Sequence, residues 1–205
     1  MYEVSGVDIL AFIAISIGII IIPGPNVLVV VSTSIVYGKI RGLQTVAGTS
    51  TAMLIQLAIA ALATTWFASA LASGLVWLKW MGVVYLFYLG ISHLLAIGRA
   101  KNIQISAVET FQRGFWVSLT NPKTILFFSA FLPQFTSPDI SYGSQIVMLS
   151  IIFWVLAVIL DSGYALLASR MSSLLKTGGI KHYQNSISGL LYLGAGAILA
   201  TSKRV

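Results

Sequence analysis

The chain has 205 residues, 58% of them hydrophobic and 8% charged, with no cysteine. An ordinary soluble domain is about one-quarter charged, so this chain lacks the polar groups to cover a soluble globule of its size, and its mean hydropathy of +0.94 excludes disorder. The missing cysteines remove disulfide frameworks, thiolate zinc sites and cysteine nucleophiles.

Apolar runs of about 20 residues, enough to cross a bilayer core, number six: Val7–Tyr37, Leu43–Phe67, Leu75–Ile97, Phe115–Phe135, Gln145–Ser169 and Ile187–Thr201. The connections fall at Gly38–Gly42, Ala68–Gly74, Gly98–Gly114, Thr136–Ser144 and Arg170–Ser186. This pattern predicts an all-α, polytopic membrane protein with six transmembrane helices, forming one domain over residues 1–205. Several runs are apolar all round, unlike the one-sided helices of a soluble core. The first charges are Glu3 and Asp8, so the N-terminus lacks a basic leader and reads as an uncleaved first span.

Lys39, Arg41, Arg99, Lys101, Arg113, Arg170, Lys176 and Lys181 all fall in the first, third and fifth connections. The second and fourth hold no basic residue, and the fourth carries Asp139. Eight against zero places the odd connections in the cytoplasm and both termini on the outer face. It also accounts for the net charge of +7 without nucleic acid. Lys79 reaches the outer interface beside Trp77 and Trp80, while Lys203 and Arg204 run against the rule.

Six spans divide into halves of three, 1–97 and 98–205, which an odd span number sets in inverted topology. At an offset of 97 residues Pro25 aligns with Pro122 and Ser32 with Ser129. Ordinary proline kinks would also give two prolines. Paired interruptions at corresponding positions nonetheless point to a transporter binding site between broken first and fourth helices.

Pro23-Gly24-Pro25-Asn26 is the sharpest local feature, because two prolines around a glycine cannot continue a regular helix. The first run is too long for one straight crossing and suits a broken one. Carbonyls and amides freed at such a break, with the Asn26 amide, suit the ammonium and carboxylate of a small zwitterion. Asn121-Pro122-Lys123 and Asp161 form a second group. By residue count Lys123 and Asp161 each lie about 12 Å inside their spans from the cytoplasmic side, so an ion pair lining a polar cavity is expected. Asn26 and Gln56 fall somewhat deeper, and Tyr164 shares a helical face with Asp161. An ionisable residue inside a span is a functional candidate by default. Asp161 is the residue expected to bind a proton and a substrate ammonium in turn. The bland alternative is Lys123 snorkelling to the interface with Asp161 balancing it or Arg170.

The two histidines, His93 and His182, do not lie at depths that suit a haem, and no cofactor or metal site is expected. Phosphate-binding, zinc-protease, nucleophile-elbow and calcium-loop patterns are absent from the sequence. An exporter, a channel and an intramembrane enzyme stay open as classes at this point, the enzyme with the poorest residues.

Together PGPN at Pro23–Asn26, GKIRGLQTVAG at Gly38–Gly48, FQRGFWVSLTNPKTILFFSAFLPQF at Phe111–Phe135 and Asp161 resemble a known family. It is the lysine exporter and homoserine/threonine resistance family (LysE/RhtB) of bacterial amino-acid exporters, and the likeness covers the whole chain. The resemblance implies an inner-membrane exporter of an amino acid or small derivative, driven by the proton gradient. Its transport path would run through the proline breaks and the NPK region. The expected partners are an amino-acid-like substrate, protons and the lipid bilayer, with a homodimer open to it. Single deep charges suit a zwitterion better than a dication, which favours a neutral amino acid.

Overall fold

The first apolar run is broken where its prolines stand. In the computed structural model, helix α1 (Gly6–Ile21) ends just before Pro23, and α2 (Pro25–Tyr37) begins with proline at its first position. The two axes bend by 54°. The structure describes residues 6–62, 65–95, 105–121, 123–124, 127–137, 141–176 and 184–201. The remaining helices among them are α3 (Lys39–Leu62), α4 (Thr65–Leu95), α5 (Ala107–Leu119), α6 (Tyr142–Lys176) and α7 (Gln184–Thr201). A π-helical turn (Phe127–Phe131) running into a 3-10 turn (Leu132–Phe135) precedes α6. No strand occurs among the described residues.

Several boundaries differ from the sequence reading. Gly38 alone separates α2 from α3, at φ 85, a left-handed conformation that glycine adopts without strain. Helix therefore begins at Lys39 inside the expected Gly38–Gly42 connection. Ala68–Gly74 lies inside α4, because its alanines favour helix and one glycine does not break it. Helix α5 starts at Ala107, eight residues before the expected Phe115, so Arg113 is helical. The cause is a reciprocal cap: Ser106 Oγ accepts the Glu109 amide at 3.1 Å and Glu109 Oε2 accepts the Ser106 amide at 2.7 Å. The 35 residues of α6 run about 52 Å, beyond both ends of the predicted fifth span, so Arg170 and Lys176 are helical too. Pro122, Arg99, Lys101, Asp139, Lys181, His182, Lys203 and Arg204 lie outside the described residues, as does the side chain of Ser129.

Large apolar side chains face outward along whole helices: Trp77, Trp80, Met81, Val84, Tyr88 and Ile91 on α4, and Val147, Ile151, Val155, Ile159 and Leu166 on α6. Water would not tolerate such a surface, and lipid would. Inside lie two apolar clusters, one around Phe12, Phe127, Phe128, Leu132 and Phe153, the other around Val29, Val30, Leu86, Val117 and Tyr192. Asn26, Asn121 and Asp161 each stand, along the chain, between a member of one cluster and a member of the other. The polar residues thus form a belt between two greasy halves. Helices α3 and α5 meet closely: a Cβ at Gly48 would strike the Phe111 carbonyl, and one at Gly114 the Thr45 carbonyl.

Candidate functional site

A helical carbonyl normally accepts the N–H four residues ahead. Pro23 and Pro25 have no N–H to return to Ile19 O and Ile21 O, and Pro122 has none for Ser118 O. In a membrane such groups must find other donors. Ser118 O takes the local Asn121 amide at 3.0 Å, and further donors to Ile21 O, Ile22 O and Ser118 O come from the opposite half of the chain. Tyr164 OH donates to Ile21 O at 2.8 Å, and Lys123 Nζ to Ile22 O at 2.5 Å. Reciprocally, Gln56 Nε2 donates to Ser118 O at 2.9 Å and to Leu119 O at 3.1 Å. Each break is therefore capped by side chains that belong to the other half.

The breaks also touch directly. Asn121 Nδ2 donates to Asn26 Oδ1 at 2.8 Å, and Asn26 Nδ2 to Ser118 Oγ at 3.1 Å. Asn121 Oδ1 accepts the Lys123 amide at 3.1 Å and Asn121 O accepts the Thr124 hydroxyl at 3.0 Å, turning the chain after α5. Both asparagines are buried, at 7% and 1% exposure, and both amides are committed. This network fixes the two joints against each other.

A small cavity opens at the junction. Gly24, Asn26, Asn121, Lys123, Thr124 and Asp161 line it with polar groups, and Met53, Phe127, Phe153 and Ala157 close it with apolar ones. Its volume is about 30 Å³, room for one or two water molecules and not for an amino acid. Gly24 has no side chain to cap α2, and Lys123 Cδ lies 3.3 Å from where a Cβ would stand. The first free amides of α2, at Asn26 and Val27, belong to cavity-lining residues, so the positive end of that helix dipole faces the site. Asp161 is 4% exposed. Among the described residues no hydrogen bond reaches its carboxylate, and the charge that acts on it is the Lys123 ammonium across the cavity wall. Burying a carboxylate in this state is costly unless a proton or a cation joins it.

The sequence candidates therefore divide. Gly24, Asn26, Asn121, Lys123 and Asp161 line the cavity; Gln56 and Tyr164 instead hold the breaks from behind; Pro23 and Pro25 make the first break; Pro122 is not described. Lys123 and Asp161 share the cavity wall and their charges act on each other, while the Lys123 ammonium donates its hydrogen bond to the Ile22 carbonyl that the break sets free. Ser118, Thr124 and the rings of Phe127 and Phe153 were missed. Ser118 was legible as the carbonyl partner that Pro122 deprives; the aromatic lid depends on tertiary packing alone. Among the described residues no group of three or more His, Asp or Glu side chains could hold a metal ion.

Helices with lipid-facing exteriors around a polar centre at two opposed breaks define a helical membrane protein. The chain belongs to the LysE type translocator family, whose model matches residues 17–203. It is 30% identical over 189 residues to a homoserine/homoserine lactone efflux protein of Salmonella typhimurium, covering 88% of this chain and 90% of the relative. It is 30% identical over 209 residues to a leucine efflux protein of Klebsiella pneumoniae, covering 97% of each. It is 24% identical over 198 residues to an uncharacterized membrane protein of Vibrio cholerae, covering 95% of this chain and 97% of the relative. No solved structure matches the chain.

Proposed function

We propose that the protein is a secondary transporter that exports a neutral amino acid or amino-acid derivative from the cytoplasm across the bacterial inner membrane by proton antiport. One observation carries this reading: two helix breaks from opposite halves of the chain meet at one small cavity whose wall holds a buried carboxylate with a lysine ammonium near it. The named relatives, efflux proteins for homoserine, its lactone and leucine, agree with it. The substrate carboxylate lies at the α2 N-terminus by Asn26 and Val27, and its ammonium at Asp161 and the Ile19 carbonyl that Pro23 leaves without a donor. Asp161 carries a proton when the substrate is absent, so one proton enters for each substrate that leaves.

The six spans form two inverted halves, 1–97 and 98–205, which rock about the cross-capped breaks while the termini stay on the outer face. A cavity too small for substrate corresponds to an unloaded stage of that cycle. The experiment loads cells with labelled leucine, homoserine and homoserine lactone and follows export with and without a proton uncoupler. Export above the empty-vector level that collapses with the uncoupler is expected; no export of any of a wider amino-acid panel contradicts the reading.

A further inference from the structure

Below the central cavity lies a second polar cluster that this transport scheme does not use. Arg113 of α5 is two turns before Asn121, about 12 Å along the axis toward the end bearing the basic connections. It is partly buried, and its Nη1 lies 3.2 Å from His93 Nε2. A guanidinium can only donate, so Nε2 is the acceptor and the ring is neutral. The guanidinium carbon stands 5.8 Å over the Tyr37 ring, and the Tyr37 and Tyr192 hydroxyls lie close enough to act on the same group. The Tyr192 hydroxyl also meets Thr33 Oγ1 at 3.2 Å.

Every one of these partners is neutral. The chain has five acidic residues. Glu109, one turn from Arg113, is exposed and bonded to the Ser106 amide, while Asp161 lines the central cavity. Among the described residues Glu109 acts on Arg113 only through charge at a distance, and no carboxylate is hydrogen-bonded to the guanidinium. A guanidinium partly enclosed among neutral groups from α2, α4 and α7, with no carboxylate among the described residues bonded to it, carries a charge that is expensive until an anion arrives. Arginine's rigid fork suits a carboxylate.

We infer that Arg113, aimed by His93, Tyr37 and Tyr192, is a binding site for the substrate's carboxylate on the cytoplasmic side of the central cavity. The inference rests on the transport reading and adds a specificity rule to it: a free carboxylate is recognised before the substrate reaches Asp161. The lactone of homoserine keeps the ammonium and lacks the carboxylate, so it bypasses this site.

The test measures equilibrium binding of labelled leucine, homoserine and homoserine lactone to the purified full-length protein, and their uptake into inside-out vesicles. Arg113→Gln should weaken leucine and homoserine binding by about tenfold, the loss of a charge-assisted hydrogen bond, and leave the lactone unchanged. Arg113→Lys should fall between. If the Gln variant does not fold, Tyr192→Phe should shift the acids in the same direction by less and spare the lactone. Wild-type protein that binds the acids no better than the lactone, or a variant that weakens acids and lactone alike, overturns the assignment. Wild-type vesicles that move none of the three while binding persists contradict the transport reading and leave the assignment of Arg113 standing.

Discussion

Tyr164 and Gln56 show how a single side chain serves a broken membrane helix. Each donates to a carbonyl that a proline has deprived of its usual partner, Ile21 O by Pro25 and Ser118 O by Pro122. Tyr164→Phe keeps the ring and removes only the donor, so it should lower stability by about 1 kcal/mol, read as a drop in melting temperature. Substrate affinity should hold within about twofold, since the residue stands behind the break rather than at the cavity. A large loss of affinity with unchanged melting would return Tyr164 to the substrate's surroundings. Lys123 combines both roles, its ammonium on Ile22 O and its stem against Gly24 in the cavity wall. That divided duty was not legible from depth alone, which placed Lys123 level with Asp161 and suggested a direct pair. The bend at Pro23–Pro25 supplies a nearer acceptor, and only the folded chain shows it.

Helix α5 is held by its cap and by its closeness to α3. Glu109 accepts the backbone amide of Ser106 and bonds reciprocally with its side chain, which holds its carboxyl below the ordinary carboxylate range. A depressed carboxyl contributes stability above its unfolded pKa of about 4.3 and loses it as pH falls through the lower folded value. Hydrogen exchange at the Glu109 amide should therefore be protected at neutral pH and quicken only in strong acid. Ser106→Ala should cost about 1 kcal/mol and expose the Glu109 amide to exchange, while the backbone amide at 106 still holds the Glu109 carboxyl low; protection unaffected by the substitution would contradict the cap. Gly48→Ala and Gly114→Ala drive a methyl into the facing backbone and should each cost about 1–3 kcal/mol. Gly194→Ala in α7 meets nothing within 4 Å and should gain up to about 1 kcal/mol. Equal effects in chemical denaturation would contradict the tight α3–α5 contact. The Ser106–Glu109 box was readable in the sequence and would have moved the helix start to Ala107. The polar residues before Phe115 carry no apolar run, so hydropathy alone ends the helix short of Arg113.

Across the whole molecule, the breaks at PGPN and NPK were legible because proline's missing N–H is a chemical certainty wherever it stands in a helix. Their meeting was not, since Asn26 and Asn121 lie 95 residues apart and only packing brings their amides together. The polar belt between two apolar clusters places all the designed weakness of the fold at one level, with Asp161 as its one buried acid among the described residues. Movement of one half against the other then opens the cavity to one side at a time, and the protonation of Asp161 decides which cargo travels. The most direct test imposes an acid-inside pH gradient on inside-out vesicles and follows accumulation of labelled leucine and homoserine by wild type and Asp161→Asn. Gradient-driven accumulation by wild type, with the variant reduced to exchange without accumulation, is the predicted result. Full gradient-driven accumulation by Asp161→Asn would contradict the account.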